Sequence, residues 1–440
     1  MAGEWREATL DQLGRIVTGK TPASSGPGFF GGDVPFVTPT DFDGRRVIES
    51  TGRYLTEQGA DAVSGSRIPR RAVMVSCIGS DMGKAVVAGR ECVTNQQINS
   101  IVVESGDDPL FVYYNLSTRK AEIRAAAGGS AQPILNKSAF GRIEIFLPAS
   151  AEQRAIAHIL GTLDDKIELN RRMNEALEAM ARALFKSWFV DFDPVRAKAE
   201  RRDPGLPNPV ANLFPDRFED SELGEIPAGW RVSDLTQVTA QITKGTTPTE
   251  TDMSNATASD ARINYLRVNA IAENGSILYD KITKIPETVH KGALKRSILR
   301  ANDVVYTIAG TIGRVGVVED DLLPANTNQA VAIIRPKPGL IPPGFLVLTM
   351  RQQAFQEELH SNIVHAVQAN LSLGMISRAN AVFPPLDSLD KIFKPIEALL
   401  RKASANRRES RILAALRDTL LPKLISGELR LSHSIKQLWR

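Results

Sequence analysis

The residues best equipped for chemistry in this chain fail, one set after another, the spacing that catalysis requires. Gly79 to Lys84 reads GSDMGK, which invites comparison with a phosphate-binding loop. That loop needs four residues between its glycines, and here there are three; Ala85 also stands where a Mg-binding Ser or Thr belongs. His158, His290, His360, His365 and His433 share no metal-ligand spacing, and neither do Cys77 and Cys92. Asp191-Phe192-Asp193-Pro194 lacks the second proline and the preceding glycine-rich loop that a methyl-transfer site would need. No nucleophile–base–acid order and no paired-carboxylate setting is present, so the sequence carries no catalytic constellation.

What remains is a set of short polar loops that occur twice. WREATLDQLGRIVTGKTP (5–22) pairs with WRVSDLTQVTAQITKGTTP (230–248), offering Lys20 and Thr21 in one copy and Lys244, Thr246 and Thr247 in the other. VPFVTPTDF (34–42) pairs with INYLRVNAI (263–271), which sets Thr38, Thr40 and Asp41 against Arg267 and Asn269. Gln132 and Gln368 lie in matching small-residue loops. Donors of this kind on turns can bind phosphates and base edges, and Arg and Asn suit guanine and adenine in particular. Loops that differ between two like bodies would suit two different half-sites. The same residues also fit solvated turns, and Asn95-Gln96 and Asn328-Gln329 fit amides that hold backbone at a strand start.

The elements that must position these loops are duplicated as well. AVMVSCIGSDMGKAVV (72–87) and DVVYTIAGTIGRVGVV (303–318) each read as strand, glycine-bounded turn, strand. TNQQINSIVV and TNQAVAIIRP follow, each a polar step into an apolar strand. Each copy ends in a long helix. In the first, Ile156, Leu160, Leu163 and Ile167, then Leu177, Met180, Leu184 and Trp188, recur at helical spacing, with neither Pro nor Gly from Thr162 to Asp193. In the second, Leu399, Leu413, Leu420 and Leu424 repeat the pattern, and Asn170 recurs as Asn406. Each helix would be a strut of roughly 58 Å at about 1.5 Å per residue. An Asn pair inside such a seam could fix coiled-coil register; both Asn could equally face solvent. Leu169, Phe185, Phe189 and Leu421 lie off the seam, where exposed apolar residues would dock a further protein.

Composition agrees with a multidomain soluble protein: 440 residues, 42% hydrophobic, 24% charged. A net charge of +4 permits nucleic-acid binding without demanding it. Two cysteines fit a reducing cytoplasm, and neither a signal peptide nor an apolar run long enough to span a membrane is expected.

The residues that carry a resemblance are LPASAEQRAIAHILGTLDDKIELNRRMNEALEAMARALFKSWFVDFDPVRAKAE, then GLPNP and LFPDRFEDSELGEIPAGW, with TNQQIN, GKTP, FFGGDVPFVTPTDF and the C-terminal LLPKLISGEL. Over essentially its whole length the chain resembles specificity subunits of type I restriction-modification systems. The resemblance implies an α+β protein: two similar α/β target-recognition domains joined by two long antiparallel helices forming a coiled coil, with pseudo-twofold internal symmetry. The boundaries expected are 1–148 for the first domain, 149–190 for the first helix, 191–228 for a linker, 229–385 for the second domain, 386–427 for the second helix and 428–440 for a tail.

It implies too a non-catalytic subunit that reads a bipartite double-stranded DNA site, one half per domain, with the helices as the ruler. Half-sites about one helical turn apart, roughly 34–36 Å, are expected on that model. Two methyltransferase subunits would dock on the helices, and restriction/translocase subunits would join them. S-adenosylmethionine, ATP and Mg would then sit on those partners and none on this chain. Docking and coiled-coil candidates are Ile156, Leu163, Asn170, Phe185, Trp188, Phe189, Leu399, Asn406, Leu420, Leu421 and Leu424. The second body lacks a GG-x-VPF opening, and its 249–262 loop differs from its counterpart. The alternative is a two-bodied interaction scaffold without sequence-specific DNA binding.

Overall fold

A computed structural model describes residues 5–23, 28–79, 81–127, 133–254, 260–361 and 370–431. The chain divides into two compact units: Met1–Met173 with Ala405–Arg440, and Asn174–Ser404. Each of the two long helices, Ser150–Phe189 and Leu386–Ser426, therefore contributes one half to each unit.

Short, largely buried runs of the first copy build a five-stranded sheet in the order Gly14–Thr18, Ile98–Val103, Val73–Ser76, Ala85–Ala88, Val47–Ile48. A smaller sheet sets Tyr54–Leu55, Phe30–Val37, Cys92–Thr94 and Arg67–Ile68 side by side, and Phe30–Val37 runs parallel to Cys92–Thr94. The second unit repeats this plan. Thr239–Lys244, Val331–Pro336, Val304–Thr307 and Val315–Val317 form its main sheet. Thr283–Pro286, Ala261–Leu266 and Ala325–Thr327 form the smaller one, again with a parallel central pair. An antiparallel pair closes each body beside its long helix: Arg6–Thr9 with Glu144–Leu147, and Arg231–Asp234 with Asn380–Phe383. The duplication read from the sequence is thus a duplication of strand order and of strand direction.

The GSDMGK segment joins the antiparallel strands Val73–Ser76 and Ala85–Ala88. A phosphate loop must open a helix, so a strand after Lys84 removes that reading. Residues 191–228 are not the plain linker expected. They fold into Asp193–Ala199, Asn208–Ala211 and a hairpin of Phe218–Ser221 with Gly224–Pro227. Val195, Phe214 and Ile226 from this stretch enter the core of the second unit, because burying them outweighs leaving so apolar a segment in water.

Within the first unit, the helix halves run in opposite directions. Ile156 and Leu160 pack into the core with Leu424 and Ile425, Asp164 meets Arg417, and Asn170 meets Asn406 and Ser410. Within the second, Phe185 and Phe189 meet Phe345 edge to face at centroid distances of 5.3 and 5.0 Å, and Phe189 also meets Phe393. Two expectations are corrected here. Phe185 and Phe189 do not form an exposed docking face: they and Trp188 are buried, because the 343–350 helix and the second long helix cover them. Met180 is 53% exposed, and Ala181, fully buried, takes the seam position instead. The inward steps are Leu177, Ala181, Leu184 and Trp188, which repeat the spacing of Ile156, Leu160, Leu163 and Ile167. Leu163, Leu399, Leu420 and Leu421 are half-buried, whereas Leu169 is exposed as expected. No described helix is long and apolar enough to cross a membrane.

Candidate nucleic-acid interface

In each unit, the loop after the first strand of the main sheet and the Asn-Gln turn before its neighbour are locked together. In the first unit, the backbone amides of Gly19 and Lys20 donate to the carbonyls of Ile98 and Thr94 at 3.0 and 2.9 Å. Thr21 Oγ1 donates to Gln96 Oε1 at 2.7 Å. In the second unit, Gly245 and Thr246 donate to Val331 and Thr327, both at 3.0 Å, and Thr247 Oγ1 donates to Gln329 Oε1. Glycine is required at the pivot of both loops. A Cβ on Gly19 would stand 2.0 Å from the Asn95 carbonyl, and one on Gly245 2.1 Å from that of Asn328.

The parallel strands bring the third loop to the same place. Asn95 N donates to Val37 O, immediately before Thr38, and Thr327 Oγ1 donates to Leu266 O, immediately before Arg267. The structure therefore gathers Lys20, Thr21 and Thr38–Asp41 at one rim, and Lys244, Thr246, Thr247, Arg267 and Asn269 at the corresponding rim of the second unit. Lys20, Thr40, Lys244, Thr246, Thr247, Arg267 and Asn269 are exposed there.

Asp41 is not an available base reader. Its Oδ2 accepts from the Thr38 amide at 2.7 Å and the Thr38 hydroxyl at 2.8 Å, and its Oδ1 accepts from Gly52 N at 3.0 Å. It caps the Pro39–Asp41 turn and anchors the neighbouring loop. Thr38 is committed to the same turn. Gln132 and Gln368 lie outside the described residues. Gln96 and Gln329, which fitted a structural role by sequence, are exposed on their turns and hold the two threonines, while Asn95 alone is buried and bonds Gln97. The repeated Thr-Pro and Asn-Gln pairs were the signal for this contact, but only strand pairing joins them.

An arginine lies over an aromatic ring beside each rim. The Arg267 guanidinium is 5.5 Å from the Tyr265 ring centroid, and Arg53 is 4.4 Å from Phe30 and 5.5 Å from Phe36. Sequence reasoning missed Arg53, which has no repeat partner of its own type.

On the long helices of the first unit, Asn170 and Asn406 are both buried. Asn170 Nδ2 donates to Glu409 Oε2 at 2.8 Å, Ser410 Oγ at 3.3 Å and the Asn406 carbonyl at 3.4 Å. A solvated role for Asn170 is therefore excluded. Lower on the same helices, Asp164 takes hydrogen bonds from Arg417 and from the Tyr114 hydroxyl, while Arg46 donates to Tyr114 and to the Gly161 carbonyl. Burial raises the Tyr114 pKa, and the adjacent Asp164 charge raises it further. Burial also pushes the Cys77 thiol up to about 11 and the Cys92 thiol to about 12; both are free and buried. Among the described residues, no group of three or more His, Cys, Asp or Glu could hold a metal ion.

A family model for the type I restriction modification DNA specificity domain matches residues 2–179. The specificity subunit of type I restriction enzyme MjaIX from Methanocaldococcus jannaschii is 26% identical over 98% of this chain and 94% of its own length. That of HindI from Haemophilus influenzae is 25% identical over 97% of this chain and all of its own. Among solved structures, the type I restriction-modification S subunit from M. genitalium shares the fold, with a TM-score of 0.59 at 16% identity, over 96% of each chain. Residues 2–179 match that DNA specificity domain, and with its two duplicated bodies and two long helices the chain is similar from end to end to specificity subunits of type I restriction-modification systems.

Proposed function

We propose that this chain is the non-catalytic subunit that gives a type I restriction-modification complex its DNA sequence, each unit reading one half of a bipartite site. The observation that carries this reading is the repeated rim: the same Thr–Gln clasp and glycine pivot in both units, bordered by different exposed side chains. A shared frame with divergent lining is what two unlike half-sites require, because backbone contacts set orientation while base-edge contacts carry sequence. Lys20 and Lys244 supply phosphate contacts, and so a salt-dependent affinity. Thr40, Asn269 and Arg267 face base edges. The long helices set the spacer between the half-sites. Two methyltransferase subunits dock on the helices; Leu169, Ile412 and Leu416, exposed on the helix halves of the first unit, support an apolar docking patch. S-adenosylmethionine, ATP and Mg belong to the partner subunits.

The test is to co-express the chain with the modification subunit of its own system in a methylation-free host and map adenine methylation genome-wide. One split motif that vanishes without this chain is the expected result. Methylation that is absent, or unchanged without the chain, would favour a scaffold without sequence preference.

A further inference from the structure

The two units place an arginine beside the same aromatic position by different routes. Phe36 and Tyr265 occupy equivalent places on the central strands, Phe30–Val37 and Ala261–Leu266. In the second unit Arg267 follows Tyr265 on its own strand, and the neighbouring-strand partner of Tyr265 is Thr283. In the first unit the position equivalent to Arg267 is Thr38, and the neighbouring-strand partner of Phe36 is Arg53, whose carbonyl accepts from Phe36 N at 3.0 Å. Arginine and threonine have exchanged places across the ring. What is kept is a guanidinium at the aromatic, 5.5 Å from the Phe36 centroid and 5.5 Å from the Tyr265 centroid.

Both arginines are exposed, and among the described residues neither is paired with a carboxylate. Phe36 and Tyr265 are buried, and Phe30, the ring closest to Arg53 at 4.4 Å, is half-buried against Phe36, so each cation lies beside an anchored ring. Each arrangement is also tied to the rim. Tyr265 OH donates to the Thr246 carbonyl at 3.0 Å, and Asp41 holds Gly52, next to Arg53. A guanidinium stacked on a fixed ring has lost rotamer freedom before any ligand arrives, which lowers the cost of a directional contact.

We propose that Arg53 and Arg267 are the paired base-reading residues of this chain, each taking the O6 and N7 edge of one guanine in its own half-site. Arginine's planar fork matches those two acceptors, and lysine's point charge does not. A phosphate contact would be served by either side chain. The inference rests on the half-site reading above and adds to it one guanine per half, with the residue that reads it.

The experiment is the same methylation mapping, run on the complex with Arg53→Ala, Arg53→Lys, Arg267→Ala and Arg267→Lys, one at a time. Each alanine variant should relax the preference at one guanine of one half-site, lowering discrimination by about 5- to 150-fold, and leave the other half-site intact. The lysine variants should fail to restore it. If an alanine variant does not accumulate, its lysine counterpart, which keeps the aliphatic stem on the ring, decides. A motif unchanged in every variant, or fully restored by lysine, overturns the inference and leaves the half-site reading standing. A wild-type complex with no split motif overturns that reading, and this inference with it.

Discussion

Asp164 Oδ1 accepts a hydrogen bond from Arg417 Nη1 at 2.6 Å, joining the two long helices in the first unit, and Asp164 Oδ2 takes the Tyr114 hydroxyl at 2.6 Å. The carboxylate is 8% exposed and Arg417 is 29% exposed. One acid thereby ties a body to both helices. Burial is the largest single influence on Arg417 and lowers its pKa, but the hydrogen bonds and opposite charges of Asp164 and Asp418 together lift the guanidinium pKa above its ordinary value. Asp164→Ala should destabilise the protein by about 2–4 kcal/mol, somewhat below the cost of breaking a fully buried pair because Arg417 stays partly wet. Urea denaturation of the single variants and of Asp164→Leu with Arg417→Met gives the coupling. A double variant no more stable than Asp164→Ala would argue against a paired charge.

A register role for the buried Asn170 and Asn406, held at a cost in stability, can be tested directly. Replacing both by Leu should raise the melting temperature, since buried amides are exchanged for apolar contacts, and should loosen specificity of association. Light scattering after gel filtration would then show additional oligomeric species. A double variant that melts lower and stays homogeneous contradicts a register role.

Gly19→Ala and Gly245→Ala each drive a methyl into a carbonyl oxygen that cannot retreat without moving a strand. Each should displace one recognition loop and weaken its own half-site while sparing the other. Methylation mapping of the co-expressed complex reads this directly. Equal damage to both half-sites from either variant would mean that the loops do not act separately.

Glu168 is held down to about 2 by its hydrogen bond to Arg171, and then by Arg172, against an ordinary value of 4.5. Its folded pKa is depressed, so its contribution is fully present above about pH 4.5 and is lost as pH falls toward 2. The arginines are exposed and screened, so the effect is below about 1 kcal/mol. Glu168→Gln should flatten the acid limb of the stability curve between pH 4.5 and 2 and leave stability above pH 6 within that margin. An unchanged acid limb would show that the pairing does not persist in solution.

Insertion of about four residues, roughly one helical turn, into both long helices tests the ruler. The expected outcome is a longer spacer between two unaltered half-sites in the methylation map. A spacer that stays the same would remove the helices from the measurement of distance.

The sequence by itself determined the duplication, the helical spacing of Ile156, Leu160 and Trp188, the hairpin reading of Gly79 to Lys84 and the family resemblance. These are properties of local pattern: periodicity, turn residues and motif spacing survive without knowledge of what packs where. Tertiary structure decided which side chains those patterns leave open. Phe185 and Phe189 looked like an exposed face because helical phase cannot show that a second layer, carrying Phe345, covers them. Asp41 looked like a base reader until its oxygens were found on Thr38 and Gly52, a contact that depends on a loop eleven residues away. Arg53 was invisible for the converse reason. Its ring partners sit on a neighbouring strand, and only strand register brings a guanidinium to the place that Arg267 reaches along its own chain.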